Sequence, residues 1–273
     1  RFGQIYIQLW HSSARLKKIE GDAIQHLAKT YINFAKKDSQ KINLMVSGSE
    51  HSTEIYRRAF WYDGEILNIG TPRNDIFFSQ NESYRNRIKR KLGLSEQTKV
   101  LLYAPTFRNS YSYDYNQLQG IKILELLKRK FGGDWKLLLR YHPNMSKEKM
   151  YKDSNESFIN VSSYDDIQEI LYVSDVVISD YSSLIFDFSL TYKPIFLFTP
   201  DLLQYYENER ELYFNLKELP FPISQSYQEL EAQIFNFNEE VYKNNIEKFQ
   251  KQIGSYEEGN SCKKLIQYIS SKM

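Results

Sequence analysis

Short apolar runs alternate with segments of helical period along this chain, and the runs end in clusters of Gly, Pro, His, Ser or Asp. That alternation constrains the fold more than any other feature. Parallel strands cannot be joined by a tight turn; each needs a crossover, usually a helix. Residues 5–10, 42–46 and 66–69 read as strands, with helical spacing over 24–37 and 50–60 between them. Residues 99–103, 135–140, 158–161, 175–179 and 194–198 read as a second set of strands. Helices are expected over 117–131, 164–173 and 182–191, the second of them opened by a capping box of Ser163 and Asp166. The polar stretch 73–98 reads as a hinge, 201–220 as loop, and 227–249 and 257–272 as two closing helices. The pattern predicts an α/β protein with parallel, doubly wound sheets.

A length of 273 residues allows one large or two ordinary domains. Lys and Arg number 36 against 34 Asp and Glu, which excludes a strongly basic nucleic-acid binder, so no nucleic-acid partner is expected. The single cysteine, Cys262, excludes a disulfide framework and a multi-cysteine metal site. No metal-ligand motif stands out, and neither a metal nor a cofactor is expected. No apolar run approaches the ~18 residues of a membrane span. The chain opens on Arg1-Phe2-Gly3-Gln4 and runs at once into a strand, which reads as a piece cut from a longer protein.

In open α/β sheets, ligands bind at the carboxyl ends of the strands. The informative polar residues follow predicted strand ends. Trp10-His11-Ser12-Ser13 follows the first strand and Gly70-Thr71-Pro72-Arg73-Asn74-Asp75 the third. Ala104-Pro105-Thr106-Phe107-Arg108, Arg140-Tyr141-His142-Pro143-Asn144 and Ser179-Asp180-Tyr181-Ser182-Ser183 follow strands of the second set. Guanidinium forks, hydroxyls and helix N-termini are phosphate-binding chemistry. Ser182 and Ser183 have two readings, an anion site at a helix start or a plain cap. Asp187, among Leu184, Ile185, Phe186 and Phe188, is either an acceptor for a ribose diol or a salt-bridged or capping carboxylate. His11 and His142 are either proton carriers or structural histidines. His26 and His51 are assigned to structure. Arg108 and Arg140 pair either phosphate oxygens or carboxylates. Arg73-Asn74-Asp75 reads as a turn and hinge contact, and the tyrosine-rich stretch 111–115 as a mobile loop or an acceptor-side surface.

Trp10-His11, Gly70-x-Pro72-Arg73-Asn74-Asp75, Ala104-Pro105-Thr106-Phe107-Arg108, Arg140-x-His142-Pro143 and Asp180-Tyr181-Ser182-Ser183-x-x-Phe186-Asp187 occur in this order. Together they resemble the CDP-glycerol glycerophosphotransferase family, the teichoic acid polymerases and their capsule-polymerase relatives. The resemblance implies a GT-B architecture of two Rossmann-like domains, the first truncated at its N-terminus. Residues 1–75 are then the end of the acceptor-side domain, 76–98 the hinge, 99–255 the CDP-polyol-binding domain and 256–273 a closing helix. The implied reaction moves a polyol phosphate, glycerol phosphate first and ribitol phosphate otherwise, from a CDP-activated donor to a hydroxyl of a growing teichoic-acid-like or capsular polymer. CMP is released.

The same resemblance implies His11 as the base and His142 as a second catalytic residue. Thr106, Arg108, Arg140, Ser182 and Ser183 are the implied donor-phosphate ligands, and Asp187 the ribose ligand. A polymeric or lipid-linked acceptor and peripheral attachment at the inner face of a bacterial membrane are implied too. The segment 242–251 reads as a membrane-facing helix or a solvated closing one. Two departures stand out. The family reads Trp-His-Gly-Thr-Pro where this chain has Ser12, Ser13 and Ala14, and Arg-Gly-x-Tyr where it has Arg210-Glu211-Leu212-Tyr213. Ser12, Ser13 and Arg210 are therefore the candidates for the polyol or acceptor side. The competing readings are a nucleotide-sugar glycosyltransferase on the same fold and an inactive CDP-binding module of a larger polymerase. Turnover with CMP release separates the three.

Overall fold

The computed structural model of the chain describes residues 4–142 and 155–272. It divides into two compact units. The first is Arg1–Ser79 with Arg210–Phe214 and Glu247–Met273; the second is Gln80–Glu209 with Asn215–Ile246.

The first unit holds a three-stranded parallel sheet of β1 (Ile7–Gln8), β2 (Leu44–Ser47) and β3 (Glu65–Asn68), in that order. All of β2 is buried, as a run of Leu44, Met45 and Val46 predicts for a central parallel strand. A 3-10 segment (Glu20–His26) and α1 (Lys29–Ser39) connect the first two strands, and α2 (Glu50–Ala59) the next two. The helix expected over 24–37 is thus two pieces, because Leu27 and Ala28 are extended between them. Ser49 opens α2 by accepting from the Ser52 N–H at 3.1 Å. Its buried Ile55, Tyr56 and Ala59 pack on Ile19, Ile42 and Met45. The last helix of the chain, α10 (Ser261–Lys272), also belongs to this unit.

The second unit has six parallel strands: β4 (Lys99–Ala104), β5 (Trp135–Leu139), β6 (Phe158–Asn160), β7 (Val176–Ser179), β8 (Ile195–Phe198) and β9 (Ile223–Ser224). Their order is β6-β5-β4-β7-β8-β9. The sequence of strands therefore reverses direction between β4 and β7, the switch point of a doubly wound sheet. The helices are α3 (Glu82–Lys91), α4 (Gly120–Phe131), α5 (Ile167–Val173), α6 (Leu184–Ser189), α7 (Leu202–Asn208), α8 (Tyr227–Phe235) and the start of α9 (Glu239–Gln252).

Several boundaries differ from the reading of the sequence. Within the stretch read as hinge, α3 is bonded into the second unit: Arg85 donates to the Asp175 carboxylate at 2.8 Å and to the Val173 carbonyl at 3.1 Å. Asp166, not Ser163, opens α5, accepting from the Gln168 N–H at 2.8 Å. The reason is a turn just before it, where the Tyr164 N–H donates to the Val161 carbonyl. Arg140 Nη1 pins that turn through the carbonyls of Val161 and Tyr164. The 201–220 stretch contains α7. Residues 227–249 break into two helices, because Asn238 starts a new one by accepting from the Val241 N–H. Tyr242, Ile246 and Phe249 are buried, so the apolar side of 242–251 is packed inside the protein and the segment is not a membrane-facing helix.

Candidate functional site

At the switch point the carboxyl ends of β4 and β7 are tied to each other. The Asp180 carboxylate, just past β7, accepts from the Thr106 N–H at 2.9 and 3.0 Å and from the Tyr181 N–H at 2.6 Å. Arg108 lies beneath. Its guanidinium meets Asp180 at 2.8 Å and grips Asp201, which follows β8, through Nε at 2.7 Å and Nη2 at 3.1 Å. Three tyrosine rings enclose that cation: Tyr113, Tyr181 and Tyr205 stand 4.5, 4.9 and 5.3 Å from its central carbon. The hydroxyls of Tyr111 and Tyr181 donate to Asp201 at 2.6 and 3.0 Å. Burial alone would raise the Asp201 carboxyl, but its bonds from Arg108, Tyr111 and Tyr181 outweigh that and hold it below the usual range.

This geometry corrects one expectation. Arg108 is 2% exposed and doubly ion-paired, so it is an internal tie and not a phosphate ligand. Arg140 is half-buried, and its Nη1 is committed to two backbone carbonyls. His142 is exposed after β5 and stacks on Phe107, ring centroids 5.7 Å apart. Pro143 and Asn144 lie outside the described residues. Among the described residues, the buried Thr106 hydroxyl has no hydrogen-bond partner. Ser182 and Ser183 are half-buried at the start of α6. Ser182 Oγ accepts from the Leu184 N–H at a long 3.4 Å, and Ser183 makes no side-chain cap. Asp187 is fully buried, which favours a packing or capping carboxylate over a ribose ligand. The tyrosine-rich stretch is anchored: Tyr113 and Tyr115 are buried, and the Asn109 and Ser110 N–H groups donate to the Glu209 carboxylate at 2.8 and 3.0 Å.

In the first unit His11 follows β1 and stacks on Trp10 with centroids 5.1 Å apart. The protein crowded around the ring, and then the guanidiniums of Arg15 and Arg73, push its pKa down to about 3. His11 is therefore a neutral imidazole at neutral pH. Arg15 is buried and donates to the Ser12 carbonyl. Neither Arg15 nor a role for Arg73 beside His11 is legible in the sequence, which does not show which cations surround a ring. Ser12 and Ser13 are buried too, contrary to an acceptor-side role for their side chains. The Ser13 carbonyl accepts from the Ser49 and Ser52 hydroxyls. Arg210 is exposed, at the start of a segment that pairs with residues 16–18.

The loop after β3 is a clasp. The Thr71 N–H donates to both Glu257 oxygens at 3.1 Å, and Asn74 Nδ2 reaches the same carboxylate at 3.3 Å. Asp75 caps α10. Among the described residues, no group of three or more His, Cys, Asp or Glu side chains is gathered for a metal ion.

Over residues 1–271 the chain matches the family described as CDP-glycerol:poly(glycerophosphate) glycerophosphotransferase. The chain belongs to this family. It is 31% identical over 273 residues to the teichoic acid poly(glycerol phosphate) polymerase of Bacillus spizizenii, covering 97% of this chain and 69% of that protein. The polymerase of the same description from Staphylococcus epidermidis is 33% identical over 279 residues, covering 97% of this chain and 38% of that protein. The solved wall teichoic acid polymerase TagF superposes with a TM-score of 0.82 at 30% identity, covering 100% of this chain and 69% of that one. The fold is accordingly of GT-B type, with two Rossmann-like units of parallel sheet.

Both departures from the glycerophosphotransferase pattern now have a physical setting. Ser12 has φ +65°, in the left-handed region, and Trp10 has φ +49°. Glycine reaches such angles freely, and serine does not. Ser12 holds this left-handed turn while buried. Glu211, in place of the second glycine, pairs with Lys18, while its carbonyl accepts from the Lys18 N–H at 2.8 Å. Leu16 and Tyr213 extend that pairing, and the Tyr213 hydroxyl donates to Asp22 at 2.7 Å. The glutamate thus closes a clamp on the segment that follows His11.

Proposed function

We propose that this chain transfers glycerol phosphate from CDP-glycerol to a hydroxyl of a growing teichoic-acid-like polymer, with release of CMP. The observation that carries the reading is the family match across residues 1–271. The Rossmann switch point of the second unit supports it as the donor site. Thr106, Ser182, Ser183 and His142 surround the carboxyl ends of β4, β5 and β7, and are the groups to meet the diphosphate. Short hydrogen bonds and cationic side chains aimed at the leaving phosphate are the main source of rate in phosphoryl transfer.

His11 takes the proton. The acceptor oxygen attacks the β-phosphorus and forms a new P–O bond. The bond from that phosphorus to the bridging oxygen breaks, and CMP departs with the electron pair. The proton released from the acceptor hydroxyl passes to the imidazole, which is unprotonated before the step. Arg73 is close enough to act on that ring. The reading calls for no resident cofactor.

The acceptor is proposed to be a polymer on a lipid at the inner face of a bacterial membrane. No helix among the described residues is long and apolar enough to cross one. Attachment is proposed through α1, where Tyr31 and Phe34 stand exposed one turn apart with Lys29 and Lys37 on the same exposed helix. Vesicle sedimentation tests this part: Phe34→Ser should release the chain from anionic vesicles.

The donor reading is tested by calorimetric titration with CDP, CMP, UDP and GDP, then with CDP-glycerol and CDP-ribitol. Cytidine selectivity and a preference for the glycerol donor are expected. Equal affinity for UDP and CDP would remove the donor assignment.

A further inference from the structure

Asp201 occupies the N-cap position of α7, yet its side chain makes no capping bond. An aspartate at that position ordinarily accepts from the first helical N–H groups. Here both oxygens are used elsewhere. They hold Arg108 in a two-bond fork, and they accept from the hydroxyls of Tyr111 and Tyr181. Those partners come from two places: Arg108 and Tyr111 from the stretch after β4, and Tyr181 from the turn after β7. One carboxylate therefore joins the carboxyl ends of β4, β7 and β8. The aromatic packing closes the same knot, with Tyr181 and Tyr205 stacked at 3.5 Å and 15°. Nothing in the proposed chemistry requires this cluster to touch substrate. Arg108, Tyr181 and Tyr205 are buried, and Tyr111 and Asp201 are half-buried.

We propose that Asp201 is the positioning residue of the donor site, holding Thr106 and the Tyr181–Ser183 turn at the spacing that the diphosphate requires through Arg108, Tyr111 and Tyr181. The inference rests on the reading of these strand ends as the donor site. Thr106 is linked to Asp201 in two steps. Its N–H is fixed by Asp180 and its carbonyl by Arg108, and Arg108 bridges Asp180 to Asp201. Tyr111 fastens the outer loop to the same carboxylate, and Glu209 fastens it a second time through Asn109 and Ser110. With Asp201 altered, the three strand ends lose their common tie while the sheet beneath keeps its own hydrogen bonds.

The test compares CDP affinity, by calorimetry, with thermal stability in four proteins: wild type, Tyr111→Phe, Asp201→Asn and Tyr242→Phe. The Tyr242 hydroxyl donates to the Lys193 carbonyl ahead of β8, at the other end of the sheet, and serves as the stability control. Tyr111→Phe deletes one bond to a carboxylate and should weaken CDP binding roughly tenfold, the usual worth of a charge-assisted hydrogen bond. Asp201→Asn should weaken it further. Tyr242→Phe should lower the melting temperature and leave CDP affinity at the wild-type value. A merely structural role predicts that affinity follows melting temperature in all three variants, and that result overturns the proposal. So does wild-type affinity in Tyr111→Phe, which leaves the Arg108–Asp201 pair in place and decides the matter should Asp201→Asn not fold. If wild type itself shows no affinity for CDP, the donor reading fails and takes this inference with it.

Discussion

Asp75 caps α10 from outside that helix: its carboxylate accepts from the Ser261 N–H at 2.9 Å and from the Cys262 N–H at 2.8 Å. A residue in the loop after β3 thereby satisfies two of the first N–H groups of a helix near the chain's end. Asp75→Ala should cost about 1 kcal/mol, the usual value of a lost cap. Amide hydrogen exchange should show faster exchange at the first turn of α10, with little change in α2. Unchanged protection there would remove the cap from the account of this motif.

Ser12 holds φ +65° without a glycine. Ser12→Gly should be tolerated, shifting stability by no more than about 1 kcal/mol, since relief of the left-handed strain offsets the freer unfolded chain. Ser12→Val should cost about 2 kcal/mol or more, because a β-branched residue adopts that angle poorly. Denaturant titration of the two variants checks the order. A valine variant as stable as wild type would show that the turn is not strained.

Arg108 is the cation of a buried pair of carboxylates. Arg108→Met leaves Asp180 and Asp201 without it and should destabilise the second unit by about 3–5 kcal/mol. Arg108→Lys keeps the charge but cannot form the two-bond fork, so it should recover only part of that loss. Full recovery by lysine, measured as melting temperature, would mean that charge alone matters.

His11 sets the pH dependence. Its pKa is lowered to about 3, so the base form is fully present at pH 5 and above. The acid limb of kcat/KM should therefore lie below the ordinary histidine value of about 6.5. His51 is lowered as well, to about 4, by burial first and then by Arg58 and Arg15. For both residues the unfolded chain binds a proton that the folded chain does not. Stability should accordingly fall as pH drops below about 6.5, and this contribution levels off as pH approaches the folded values. An acid limb centred near 6.5 would show that the protein crowded around His11 and its neighbouring cations do not hold it neutral.

The strands were the most legible part of the chain, and burial explains why. Val100–Ala104 of β4 and all of β7 are buried on both faces, and such strands read as continuous apolar runs. By contrast α7 was invisible: only Leu202 and Tyr205 of it are buried, which leaves no helical period to recognise. The break between α8 and α9 leaves no mark in the sequence because Phe237 continues the apolar pattern while its backbone leaves the helix. For the site, the groups at strand ends were readable because the topology dictates where ligands bind. Their individual roles were not. Arg108 looks like a phosphate ligand until Asp180 and Asp201 are seen to enclose it, and those partners come from two other strand ends. Sequence spacing carries no record of such closures.

The account turns most directly on His11 as the base of a transfer that releases CMP. The measurement is CMP released, and glycerol phosphate oligomer lengthened, when the chain is given CDP-glycerol with the oligomer as acceptor. Wild type should turn over, while His11→Ala should lose about 10²–10⁴-fold with its CDP affinity unchanged. Turnover in His11→Ala equal to that of wild type would contradict the account.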